Sequence, residues 1–126
     1  MILNIEVNQT ILQVELVPGA SSEALAKLLR DGPLTLAMKD YAHMEKFGDL
    51  GVRLPRSDRQ ITTKAGDVIL SEGNLLVIYY APNTWNFTRL GRVVNMTEEE
   101  LKQALGKGNI TATLTWPEEQ ESASGL

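Results

Sequence analysis

Arg89-Leu90-Gly91-Arg92-Val93-Val94, followed by Asn95-Met96-Thr97-Glu98-Glu99-Glu100-Leu101, decides how the chain folds. The first six residues place β-branched and long side chains around one glycine, which predicts a strand. Thr97 and Glu100 then form a reciprocal cap: the threonine hydroxyl accepts the Glu100 amide while the glutamate reaches back to the Thr97 amide. The helix that follows runs to about Leu105, with Met96, Leu101, Ala104 and Leu105 as its apolar side, and Gly106 ends it. Ile110–Trp116 alternates again and closes the sheet.

Working outward, Leu75–Ala81 is nearly all apolar, β-branched or aromatic and too short for a helix, so it reads as a central strand. The turn Ala65-Gly66-Asp67 leads into Val68-Ile69-Leu70, and Glu72-Gly73-Asn74 is a second turn. Residues 53–65 are polar and predict a long surface loop; Pro82-Asn83-Thr84 opens another loop carrying Trp85 and Phe87. Near the N-terminus, Ile2–Val7 and Thr10–Val17 alternate around Asn8-Gln9, the pattern of a hairpin, with room for a bulge. Ser21 is placed to cap a helix over Ser22–Arg30 whose stripe is Ala24, Leu25, Leu28 and Leu29. Leu34–Lys39 is a strand, and from Tyr41 a second alternating set puts Tyr41, His43, Glu45 and Phe47 on one face. About eight strands and two short helices, without βαβ rhythm or internal repeat, predict a mostly β, single domain over 1–116 that closes as a barrel or a sandwich. The acidic, small-residue stretch 117–126 predicts a disordered tail.

Composition narrows the function classes. The chain has 126 residues, 43% hydrophobic and 22% charged, enough for one core without disulfides or metals. A formal charge of -4 disfavours nucleic-acid binding, which needs concentrated positive charge. With no cysteine, thiolate nucleophiles, disulfides and Cys-based metal sites are excluded. No basic leader and no apolar run of roughly 18 residues is present, so a membrane partner is not expected and the chain reads as cytoplasmic. Four Asn-x-Thr triplets, starting at Asn8, Asn86, Asn95 and Asn109, read as β-prone threonines near turns.

The order of hairpin, helix, strands, late helix and last strand resembles the cyclophilin topology. Arg89–Val94 running into Glu98–Leu105 is similar to the cyclophilin segment in which an aromatic-Gly-Lys/Arg-Val-Val strand enters a helix, with Leu90 in place of the aromatic. Over residues 1–116 the chain looks still more like a small bacterial and archaeal cyclophilin-like family of unassigned function. The stretches that carry this likeness are Lys64-Ala65-Gly66-Asp67-Val68, Gly73-Asn74-Leu75-Leu76-Val77-Ile78-Tyr79-Tyr80, and Tyr41-Ala42-His43-Met44-Glu45-Lys46-Phe47-Gly48. True cyclophilins carry a Phe-His-Arg triplet on the strand after the first helix, and its arginine holds the twisting prolyl bond. The matching stretch here, Leu34-Thr35-Leu36-Ala37-Met38-Lys39, lacks all three, and Glu45-Lys46-Phe47-Gly48-Asp49 stands where a Gln-Gly-Gly-Asp segment is expected. The resemblance thus implies a mostly β, single closed cyclophilin-like barrel over 1–116, without efficient prolyl isomerase activity.

Candidate ligand-binding residues are Tyr41, His43, Glu45, Phe47, Tyr79 and Trp85. A histidine beside a carboxylate suits acid–base work or a metal, and the same residues equally suit a half-exposed strand face bonded to a loop. One histidine and no cysteine is a poor metal set, so neither metal nor cofactor is expected, and no catalytic residue is assigned. Tyr79 and Tyr80 must point to opposite faces, and Trp85 either plugs the core or lines a groove. Arg53, Arg56, Arg59 and Lys64 form a basic loop able to receive a carboxylate or phosphate, or merely to be solvated. The reading that follows is a binding module for a small molecule or peptide, with an atypical prolyl isomerase and a structural subunit as alternatives. The sequence leaves the oligomeric state open.

Overall fold

Alternation in Ile2–Val7 (β1) and Thr10–Leu16 (β2) turns Leu3, Ile5, Val7, Leu12, Val14 and Leu16 to one fully buried face. The computed structural model describes residues 1–117 of the chain. The remaining elements are α1 (Ala20–Arg30), β3 (Leu34–Tyr41), β4 (Glu45–Asp49), β5 (Arg59–Thr62), β6 (Asp67–Ser71), β7 (Leu75–Tyr79), β8 (Thr84–Val93), α2 (Glu98–Leu105) and β9 (Ile110–Thr115). Eight strands form an antiparallel ring in the order β2-β1-β9-β3-β4-β7-β6-β8, which closes where β2 pairs with β8. The ninth, β5, adds to the far end of β8 outside that ring.

Closure leaves the ring without a free edge. Its interior is one aliphatic cluster drawn from every barrel strand but β4, including Leu3, Val14, Met38, Val68, Ile78, Leu90 and Leu114. The apolar sides of both helices pack into the same cluster through Leu25 and Leu29 of α1 and Leu101 and Leu105 of α2. A second, smaller cluster of Ile69, Val77, Tyr79 and Phe87 lies on the opposite face of β6, β7 and β8, outside the barrel.

The hairpin β1–β2 turns tightly at Asn8-Gln9, both at positive φ, with Val7 directly opposite Thr10 and no bulge. The reciprocal cap of α2 is formed as expected: Glu100 N donates to Thr97 Oγ1 at 3.1 Å and Thr97 N donates to Glu100 Oε1 at 2.8 Å.

Three expectations change. Helix α1 starts two residues earlier than predicted, and Ser21 is no cap; it is buried, and its hydroxyl donates to the Pro55 carbonyl. The segment 53–65 is not all loop, because Arg59–Thr62 pairs with Thr84–Phe87, which turns the second predicted loop into the first half of β8. Tyr41–Phe47 is not one strand: β3 ends at Tyr41, residues 42–44 turn with Ala42 and His43 at positive φ, and β4 starts at Glu45. Of the predicted tail, residues 118–126 lie outside the described part of the chain.

Candidate functional site

The β3–β4 hairpin places Tyr41 directly opposite Glu45, and Glu45 is in turn opposite Tyr79 of β7. Directly paired residues share a face of the sheet, so these three form a row on the outside of the barrel. One rung along, Phe47 faces Val77. Trp85 and Phe87 arrive from the half of β8 that overhangs with β5. Together with Met44, Ser71, Glu72, Leu75 and Asn83 they line an outer cleft of about 590 Å³.

Aromatic geometry shapes the walls. Tyr41 and Phe47 meet edge to face with centroids 6.4 Å apart, and Tyr79 and Phe87 pack at 5.7 Å with their planes tilted by 56°. Tyr41 and Trp85 remain 58% and 67% exposed, so the tryptophan does not plug the core. Asn83 Nδ2 donates to the Tyr79 hydroxyl at 3.1 Å and fixes the ring at the back of the cleft.

Glu45 is buried at the centre of this wall. Burial pushes its carboxyl up from the ordinary range; a hydrogen bond from Tyr79 opposes the rise and the nearby charge of Asp40 adds to it. The Tyr79 hydroxyl is itself pushed up to about 12, chiefly by burial. None of the lining residues is cationic.

Behind the cleft, Lys46 points the other way and is wholly buried. Its ammonium lies 3.1 Å from Asp40 and donates to the Gly108 carbonyl at 2.6 Å, and Tyr80 donates its hydroxyl to Asp40. Burial pushes Asp40 up, but the bonds from Tyr80 and Lys46 and the lysine charge outweigh it and hold the carboxyl below the ordinary range. Tyr79 and Tyr80 thus serve opposite faces, one in the cleft and one in this internal network.

Of the six residues singled out from the sequence, the fold brings Tyr41, Glu45, Phe47, Tyr79 and Trp85 together and leaves His43 out. His43 sits at the hairpin tip, its side chain 98% exposed and 3.8 Å from Asp40. Asp49 closes the far end of β4, away from His43, and accepts the Gly51 amide at 2.8 Å. Among the described residues no three His, Cys, Asp or Glu side chains are grouped to hold a metal ion. Sequence reasoning missed Met44, Ser71, Glu72, Leu75, Val77 and Asn83 as lining residues. It noted Phe87 without placing it there, although Phe87 follows Trp85 at the period-2 spacing that marks a shared strand side.

A closed eight-stranded antiparallel cylinder with two packed helices and a cleft on its outer wall defines a cyclophilin-type barrel. The sequence profile of the cyclophilin-like family matches residues 5–115, and the chain belongs to that family. The fold is also similar to the solution structure of a hypothetical protein from Archaeoglobus fulgidus, with a TM-score of 0.67 at 15% identity, over 91% of this chain and 93% of the other. No curated protein matches the chain. No described helix is long and apolar enough to cross a membrane.

Proposed function

We propose that the chain is a binding module that holds a small molecule or a peptide side chain in the outer cleft. The aromatic walls of Tyr41, Phe47 and Trp85 take its apolar body, and Glu45 takes a basic nitrogen. The observation that carries this reading is the position of Glu45: a buried carboxylate in an aromatic wall that contains no cation to pair it. Aromatic faces and a desolvated carboxylate both favour a cation, and the second acid, Glu72, adds to the same field.

The outer cleft lacks the donor that prolyl isomerisation needs. Twisting the bond demands a fixed cation over a dry pocket. No arginine lines this cleft, and Lys39, although opposite Phe47 in register, lines a separate groove with Ala37 and Asn109.

The test is a thermal-shift panel of aromatic amines, neutral aromatics and short peptides with and without lysine or arginine. Stabilisation confined to the basic members, and abolished by Trp85→Ala and Glu45→Gln, is the expected result. A panel without any stabilisation, or equal response to neutral and basic members, refutes it.

Glu45 also predicts a pH signature. A carboxyl raised in the folded state contributes stability that is complete below its unfolded value and is lost as pH rises through its folded value. Glu45→Gln therefore melts above the native chain at neutral pH, and the gain vanishes under acid conditions where Glu45 is already protonated. A residue kept at a cost to stability is what a binding site leaves behind. Paired melting curves across the acid-to-neutral range check this, and a variant destabilised at every pH contradicts it.

A further inference from the structure

A second cleft, of about 530 Å³, opens between the loop leading into α1, the segment before β5 and the middle of β8. Arg56, Arg59 and Arg89 line it, half of the six arginines in the sequence, and no acidic residue does. In a chain of net charge -4 this is a local concentration of positive charge.

Two of the three guanidinium groups are held in place by carboxylates outside the lining. Arg56 Nε donates to Asp58 Oδ2 at 3.0 Å, and Asp58 Oδ1 accepts the Thr88 hydroxyl at 2.6 Å. Arg89 Nη2 is 3.4 Å from Asp67 Oδ2, which leaves its Nε buried and without a hydrogen-bond partner. The third, Arg59, is exposed, and its guanidinium makes no hydrogen bond or ion pair among the described residues. Counting Arg92, which shares Asp67, four arginines face two carboxylates, a local surplus of +2.

The first turn of α1 forms the remaining side. Gly19 stands at its N-cap and no side chain caps it. Ser21 and Ser22, which line the cleft, donate their hydroxyls to the Pro55 and Leu90 carbonyls, so neither is turned to the open amides. A helix start with unsatisfied amides carries partial positive charge.

We propose that this cleft binds a phosphate group, as inorganic phosphate or as a phosphomonoester. Guanidinium forks match the paired oxygens of phosphate and carboxylate alike. The open fork of Arg59, the N–H groups that Asp58 and Asp67 leave free on Arg56 and Arg89, and a row of amides, however, offer more donors than the two oxygens of a carboxylate can accept, and they suit a doubly charged tetrahedral anion. The site is independent of the outer cleft, although the β5–β8 ribbon contributes residues to both.

The experiment titrates the full chain at fixed ionic strength with inorganic phosphate, phenyl phosphate and acetate, followed by amide and arginine Nε resonances. Saturable shifts at Ala20, Ser21, Ser22, Arg59 and Arg89 with either phosphate, and much weaker shifts with acetate, support the assignment. The tighter of the two phosphates tells a free ion from an ester. Arg59→Ala, an exposed position whose backbone pairing survives, should weaken binding about tenfold, the loss of one charged hydrogen bond. Arg53→Ala, outside the cleft, should not. Shifts that do not saturate, acetate bound as tightly as phosphate, or unchanged affinity in Arg59→Ala overturns the proposal.

Discussion

Arg92→Leu will lower the unfolding free energy by about 3 kcal/mol, the low end of the cost of breaking a buried ion pair, because Arg92 is partly exposed and Arg89 stays beside Asp67. In a domain of this size the melting temperature should fall by roughly 10 to 20 °C. Asp67 is fully buried. Arg92 donates to its Oδ1 through Nε at 3.0 Å and Nη2 at 2.9 Å, while Oδ2 takes the Lys64 amide at 2.9 Å and the more distant Arg89. Without Arg92, Oδ1 keeps its charge in the interior with no donor. Asp67→Asn also costs stability, because its amide group presents a donor to donors. Combining the two removes both halves of the mismatch, so the double variant should be less destabilised than the sum of the singles. Urea unfolding of all four chains closes the cycle. If Arg92→Leu stays within 1 kcal/mol of native, or the two effects simply add, the pair does not hold the Gly66-Asp67 turn against β8.

That turn and the second half of β8 are also where the sequence was most legible, because each element there carries its own local signal. Gly66 sits at positive φ in the turn, Asp67 follows it, and Thr97 with Glu100 caps α2 through contacts three residues apart. The strand β5 carries no such signal. Arg59-Gln60-Ile61-Thr62 has one apolar residue, and its ladder exists only because Trp85 and Phe87 lie opposite. For the same reason Asn83 and Asn86 read as turn formers around Trp85, although β8 continues through Asn86.

The candidate site was legible in part by a coincidence of geometry. In a straight strand, Tyr41 and Glu45 share a face because they are four apart. In a hairpin turning over residues 42–44, they share it because they are paired across the ladder. Alternation cannot separate the two arrangements for this pair; they differ at the turn, where His43 leaves the cleft and Met44 joins its lining. Lys46 shows the opposite limit. Alternation sets it on the inward face, and Asp40 is its cross-strand neighbour in the β3–β4 hairpin, but Gly108 comes from the turn before β9, a proximity that only the long-range pairing of β3 with β9 creates.

Gly91→Ala should cost about 3 kcal/mol, near the upper end for overpacking a close-packed interior. The φ of Gly91 is not in the left-handed region, so what it supplies is space. It lies between β6 and β2, opposite Val68 on one side and Leu16 on the other, at the single pairing that seals the cylinder. A methyl group there would drive into the Glu15 carbonyl oxygen and come within 3.0 Å of Val14 Cγ1. The closer obstacle is backbone, so β2 must move away from β8 and loosen the pairs Val14–Val93, Glu15–Arg92 and Leu16–Gly91. Val14→Ala clears only the side-chain contact and should not rescue the variant. Amide exchange should then quicken along β2 and the second half of β8 before it does in β4 or β7, because the opening begins at the seam. A Gly91→Ala chain that melts like the native one, or that Val14→Ala restores, would mean the seam yields without parting its backbones.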